Sequence, residues 1–232
     1  MRNRDVGCTF PGCAMDHPNP SSPGAPDPAE VRRHGPAARL LHWLLAASFI
    51  LVMATGLALY WRSILGWTLP LFGGKDSAVN LHFWTGLVLA AAALLLFLVW
   101  RRLARWTPTD SHFVRHLSAY AASPDQVPPP ETGFFNGGQK LYFWSVMVST
   151  VIFVVTGLVW WFRKEVPQNV YAVCRTTHRV LAVIMSAGFL VHVYKATIGE
   201  AGTFGSMVTG KVTVAWARAR RPNWYRELGG RD

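Results

Sequence analysis

Four histidines lie inside long apolar stretches of this 232-residue chain: His42, His82, His178 and His192. An imidazole in hydrocarbon is costly, so a histidine there marks a functional site by default. The bland alternative, a hydrogen bond to a neighbouring helix, suits one such residue better than four at matching depths. His178 and His192 are 14 residues apart. On an α-helix that is close to four turns, so they share one face and stand ~21 Å apart along the axis. His42 falls near the start of the first apolar run and His82 near the start of the second. With successive spans antiparallel, His42 is level with His192, and His82 with His178. Two facing imidazoles at each of two depths form the donor set for two bis-histidine haems. With both axial positions filled, the iron would carry electrons rather than activate oxygen. No Cys-x-x-Cys-His occurs, so the haems would be b-type, held without covalent attachment.

A flat macrocycle needs helices that come close without side chains in the way. Gly56 lies 14 residues after His42, Gly86 one turn after His82 and Gly188 one turn before His192. Small residues also mediate helix packing in membranes generally, but that does not account for their register with the histidines. The third apolar run has no histidine, yet it echoes the first. Phe143-Trp144 precede Thr156-Gly157-Leu158 at the spacing with which His42-Trp43 precede Thr55-Gly56-Leu57. Two helices running in the same direction would suffice to explain so short an echo.

The elements that must carry these residues follow from composition. The chain is 51% hydrophobic and only 15% charged, with mean hydropathy +0.20, whereas soluble domains are about one quarter charged. Residues 40–61, 78–100 and 141–162 contain no charged residue, and each is long enough to span a bilayer. A fourth span, 175–198, requires its end charges to snorkel. The fold class is therefore all-α, an integral membrane four-helix bundle binding two b-type haems. The expected domains are an irregular N-terminal arm (1–36), the bundle (37–200) and a basic C-terminal tail (201–232).

With four spans, 17 of the 23 Lys and Arg fall on the side of the termini and 6 on the other. The positive-inside bias then puts both termini of this multi-pass membrane protein in the cytoplasm. A net charge of +11 can also signal nucleic acid, but these charges flank spans, so the partner they meet is lipid. Residues 1–36 contain no apolar core of the kind a cleavable signal needs. Cys8 and Cys13 match no strong metal pattern, and His17, His34, His112 and His116 read as ordinary surface residues.

Leu41-His42-Trp43, the histidine heading the second span and the His178/His192 pair on the last resemble the cytochrome b (gamma) subunit of respiratory formate dehydrogenase. That subunit belongs among the di-haem cytochrome b subunits of formate dehydrogenases, hydrogenases and thiosulfate reductases. The run Phe135-Asn136-Gly137-Gly138-Gln139-Lys140 is similar to the Tyr-Asn-Ala-Gly-Gln-Lys run of the formate dehydrogenase subunit, with Phe135 for tyrosine and Gly137 for alanine. The resemblance covers roughly residues 33–211. It implies a chain with no formate-oxidising site of its own. Such a chain takes electrons from an iron–sulfur subunit, fed by a molybdenum or tungsten catalytic subunit, and reduces a quinone near the cytoplasmic haem. Asn136, Gly138, Gln139, Lys140 and His192 map onto the quinone region. A loop that merely caps the third span, with Gly137-Gly138 as a turn, is the competing reading. Alternatives at the level of function are the cytochrome b subunit of a nickel–iron hydrogenase or thiosulfate reductase, a stand-alone cytochrome b561-like reductase, and a haem-free membrane anchor.

Overall fold

The computed structural model describes residues 30–122 and 131–230. Cys8, Cys13 and His17 lie outside them. A short strand β1 (Glu30–Arg32) leads into α1 (Pro36–Tyr60), whose proline sits in the first turn, where its missing N–H costs nothing. A short α2 (Arg62–Leu65) and a 3-10 stretch (Gly66–Phe72) turn the chain back. Then come α3 (Lys75–Trp100), α4 (Pro108–Arg115) and α5 (Leu117–Ala122). The second long hairpin is α6 (Gly137–Trp161) and α7 (Gln168–Tyr194). After it α7 widens into a π-helical turn, Lys195–Gly199. The chain ends with α8 (Thr203–Val208), β2 (Lys211–Thr213), α9 (Val214–Arg220) and α10 (Pro222–Glu227).

Helices α1, α3, α6 and α7 are each long and apolar enough to cross a membrane. At 1.5 Å per residue, 25 residues reach ~37 Å, more than a bilayer's ~30 Å hydrocarbon core. Their outward faces carry exposed Leu94, Val151, Ile184 and Leu190, as lipid contact requires. The fourth helix starts seven residues before the expected boundary at 175, because Pro167 opens it and residues 168–174 continue the helix.

The end of the arm, expected to be irregular, and the basic tail both carry regular elements. They fold together into a cap over the end of the bundle where α1 begins and α7 finishes. Strand β1 pairs antiparallel with β2, with Val31 opposite Val212. Gly210, just before β2, has φ +83°. Its carbonyl accepts from the Arg33 and His34 N–H groups (2.8 and 3.1 Å), and an added Cβ would meet the His34 carbonyl at 2.6 Å. Val212, Ala217, Trp224 and Tyr225 form the small core of the cap. Arg33 is buried there with its guanidinium 4.5 Å from the Trp216 ring and 5.2 Å from the Phe134 ring. Its Nη2 donates to the Phe134 carbonyl at 2.8 Å. Burial lowers its pKa to about 9, which leaves it charged at neutral pH.

His34 also corrects the sequence reading. It is only 5% exposed, enclosed by Trp100, Phe134 and Phe135, whereas His112 and His116 are exposed. Apolar neighbours distant in sequence bury it, and local polarity could not reveal them. Burial first, and then the Arg33 charge, lowers its pKa to about 3. An unfolded histidine titrates near 6.5. As pH falls from 6.5 toward 3, the opened cap takes up a proton that the closed cap cannot, so stability present above 6.5 is progressively lost. Amide exchange at Glu30–Arg32, corrected for its intrinsic pH dependence, should therefore accelerate between about pH 6 and pH 4. In His34→Gln that acceleration should largely vanish.

Candidate cofactor sites

Helix α1 packs along α3 and α6 along α7, and an α3–α6 contact joins the two hairpins. The histidines face each other across the division between hairpins. His42 on α1 and His192 on α7 have ring centroids 6.3 Å apart. His82 on α3 and His178 on α7 have centroids 6.2 Å apart. Among the described residues, no α3 Cα comes within 8 Å of an α7 Cα. The two pairs lie at opposite ends of the bundle, the first at the end where α1 begins and α7 finishes.

These distances fit a shared metal. A metal–imidazole bond is about 2 Å and a ring nitrogen is roughly 1.1 Å from its centroid, so two imidazoles on one iron stand roughly 6 Å centre to centre. Among the described residues no group of three or more His, Cys, Asp or Glu converges. Each pair thus offers two donors only, the complement of a macrocycle that supplies four.

Hydrogen bonding favours one tautomer at the far pair. Thr55 Oγ donates its one proton to the Leu51 carbonyl at 2.7 Å, and Thr55 Oγ lies 2.9 Å from His82 Nδ1. The hydroxyl can then only accept, so Nδ1 carries the ring proton and Nε2 presents a lone pair. Thr156 repeats the arrangement: it donates to the Ile152 carbonyl at 2.7 Å and lies 2.8 Å from His178 Nδ1. This is the outer-shell contact that orients metal-binding histidines and raises their basicity. The glycines beside the threonines complete the clasp. A Cβ at Gly56 would stand 3.1 Å from His82 Cε1, and one at Gly157 3.7 Å from His178 Cε1. The Thr-Gly echo between spans one and three is thus two copies of one histidine clasp. The tryptophans of the echo also act alike. The Trp43 indole donates to the Met207 carbonyl and the Trp144 indole to the Ala104 carbonyl, both at 3.0 Å.

Of the other register glycines, Gly188 would bring a Cβ to 3.7 Å from Tyr142, while Gly86 faces open space. Tyr142 stacks on His192, with centroids 4.6 Å apart and planes 10° from parallel. The sequence alone does not mark it, because an aromatic in a membrane span is ordinary. The threonines were visible there only as an echo.

The loop before α6 is built as a cap. Asn136 Oδ1 accepts from the Gln139 N–H (2.8 Å), and Gln139 Oε1 accepts from the Asn136 N–H (3.2 Å), a reciprocal capping box. Both side-chain oxygens are committed, while neither amide nitrogen takes part in the box. Arg221 of the cap also donates to Gln139 Oε1 (3.2 Å) and pairs with Glu200 at 2.8 Å. Gly137 is needed where the loop meets α4, because a Cβ there would stand 2.9 Å from the Asp110 carbonyl. The Lys140 ammonium is buried and bound to Asp110 at 2.7 Å, which anchors α4 to α6.

Residues 33–210 match the family described as prokaryotic cytochrome b561, and the chain belongs to that family. It is similar to the formate dehydrogenase cytochrome b556(fdo) subunit of Escherichia coli K12, 29% identical over 201 residues, 85% of this chain and 93% of that one. The formate dehydrogenase cytochrome b556 subunit of Haemophilus influenzae is also 29% identical, over 85% of this chain and 83% of its own length. The nitrate-inducible cytochrome b556(Fdn) subunit of Escherichia coli K12 is 27% identical, over 82% and 88%. The chain is a multi-pass membrane cytochrome, and its family implies haem b.

Proposed function

We propose that this chain is the di-haem cytochrome b subunit of a respiratory formate dehydrogenase, taking electrons from an iron–sulfur subunit and delivering them to a quinone. The observation that carries the reading is the two facing histidine pairs, 6.3 and 6.2 Å apart, on one shared helix. His42 and His192 would hold one haem and His82 and His178 the other, supplying one-electron carriers at two depths. Gly56, Gly86 and Gly188 would leave room for the macrocycles. The charge asymmetry supports placing the termini, and with them the His42/His192 pair, on the cytoplasmic side of the inner membrane. The iron–sulfur subunit, and behind it a molybdenum or tungsten subunit, would then dock at the opposite face.

The quinone would bind at the loop beside His192, with Asn136, Gly138 and Gln139. Tyr142, stacked on His192, lies one turn along α6 from Gly138 and ties that loop to the histidine. The capping box leaves the Asn136 and Gln139 amide NH2 groups as donors for a quinone carbonyl, and the cap positions Gln139 through Arg221. Lys140 contributes by holding Asp110 and the loop in place.

Geometry also decides the substitutions. Alanine at position 136 would cost about 1 kcal/mol of helix capping and confound the result. Asn136→Asp and Gln139→Glu keep the capping oxygens and remove the NH2 donors. In the purified complex these variants should slow formate-driven quinone reduction by at least about tenfold, with haem content and haem reduction by formate unchanged. Unaltered quinone turnover would remove the loop from the site. A purified complex with nickel in place of molybdenum or tungsten would assign the chain to a hydrogenase.

A further inference from the structure

Two arginines sit within the α7 span on either side of a candidate ligand. Arg175 precedes His178 by three residues and Arg179 follows it by one. At 100° per residue both project to the same flank of His178. They are also an i,i+4 pair of like charges, which disfavours the helix unless something negative sits between them. Among the described residues no carboxylate lies within 4 Å of either guanidinium. The Nε of each is shielded from solvent and has no hydrogen-bond partner. Their neighbours are aromatic. The Arg175 guanidinium is 5.5 Å from the Tyr171 ring, and that of Arg179 is 5.1 Å from Tyr60 and 5.4 Å from Trp160. The Trp160 ring in turn is 6.0 Å from His178. Tyr60 closes α1, one turn beyond the Gly56 that abuts His82. These contacts place both cations beside the His82/His178 pair and hold them there without neutralising them.

A half-buried guanidinium with a shielded Nε and no carboxylate beside it calls for an oxyanion, which it meets with paired N–H donors. We propose that Arg175 and Arg179 bind the propionate carboxylates of the haem held by His82 and His178. This rests on the di-haem reading above. A lipid phosphate offers the same chemistry, but the shielded Nε atoms and the Trp160 contact shared with His178 point toward the haem. The two charges then do more than retain the cofactor. A cation near the iron disfavours the more positive ferric state, so the pair raises the potential of this haem relative to an unpaired one.

The test is a redox titration of the full-length chain, purified in detergent, for wild type, Arg175→Gln, Arg179→Gln and the two Arg→Lys variants. The His82/His178 haem is identified as the one missing in His178→Ala. A wild type without two haems would reject the di-haem reading itself, before the arginines are considered. With two haems present, each Gln variant should lower the midpoint potential of the His82/His178 haem alone. The Lys variants should retain most of the wild-type value, and the shifts should persist after removal of phospholipid. If a Gln variant instead loses that haem while its Lys counterpart keeps it, the pairing is equally supported. Absence of a shift, or an equal shift in both haems, would overturn the proposal. So would a shift confined to phospholipid-containing samples, which would identify lipid phosphate as the anion. A shift seen only when other subunits are bound would assign the arginines to a subunit contact and overturn it too.

Discussion

Replacing His178 or His82 with alanine should remove one haem and leave the other, taking the chain from two haems to one. Replacing His42 or His192 should remove the other haem. The pairing is by depth across the gap between hairpins, with α7 contributing to both sites. A bis-histidine haem that loses one of its two axial imidazoles loses half its protein ligation and gains an open position. Pyridine haemochrome content and the surviving reduced spectrum check the outcome. His82→Ala and His178→Ala should give the same residual spectrum, and His42→Ala and His192→Ala a different shared one. If His42→Ala and His82→Ala lose the same single haem, the pairing is wrong.

The second large effect is expected one shell further out. Thr55→Val and Thr156→Val preserve shape and delete the hydroxyl that accepts from His82 or His178 Nδ1. Removing an outer-shell partner of a metal-bound histidine typically weakens metal affinity by about 10–100-fold. A less basic imidazole favours the ferrous state, so the potential of the haem should rise. That is the opposite sign to loss of Arg175 or Arg179. Both threonines serve the same pair although they lie on different helices, so either valine variant should perturb the His82/His178 haem and spare the other. Dissociation of haem into excess apomyoglobin and a redox titration measure the two effects. A change in the His42/His192 haem, or no change in either, would contradict the clasp.

The four spans were legible because burial in lipid imposes length and apolarity that composition records directly. The histidine pairs were legible because 14 residues on one helix fix both face and depth. The Thr-Gly echo was visible, but its meaning was not. A hydroxyl's role depends on which ring lies opposite, and that is set by the packing of α1 on α3 and of α6 on α7. The cap was illegible for another reason. Its strands are only three residues long, too short to show a period, and its pairing partners are separated by nearly the whole chain. His34 looked like a surface residue because the rings that enclose it, Trp100, Phe134 and Phe135, are distant in sequence. Nor did the local sequence show the ion pair of Lys140, since its acid, Asp110, is 30 residues away.

The central claim is that the two histidine pairs each hold a b haem. The most direct measurement is the haem-to-polypeptide ratio of the purified full-length chain, combined with its low-temperature ferric electron paramagnetic resonance spectrum. The account predicts two haems per chain, both low-spin with bis-imidazole signals, and no rapid carbon monoxide binding on reduction. A colourless protein, a ratio of one, or a high-spin signal of matching intensity would contradict it.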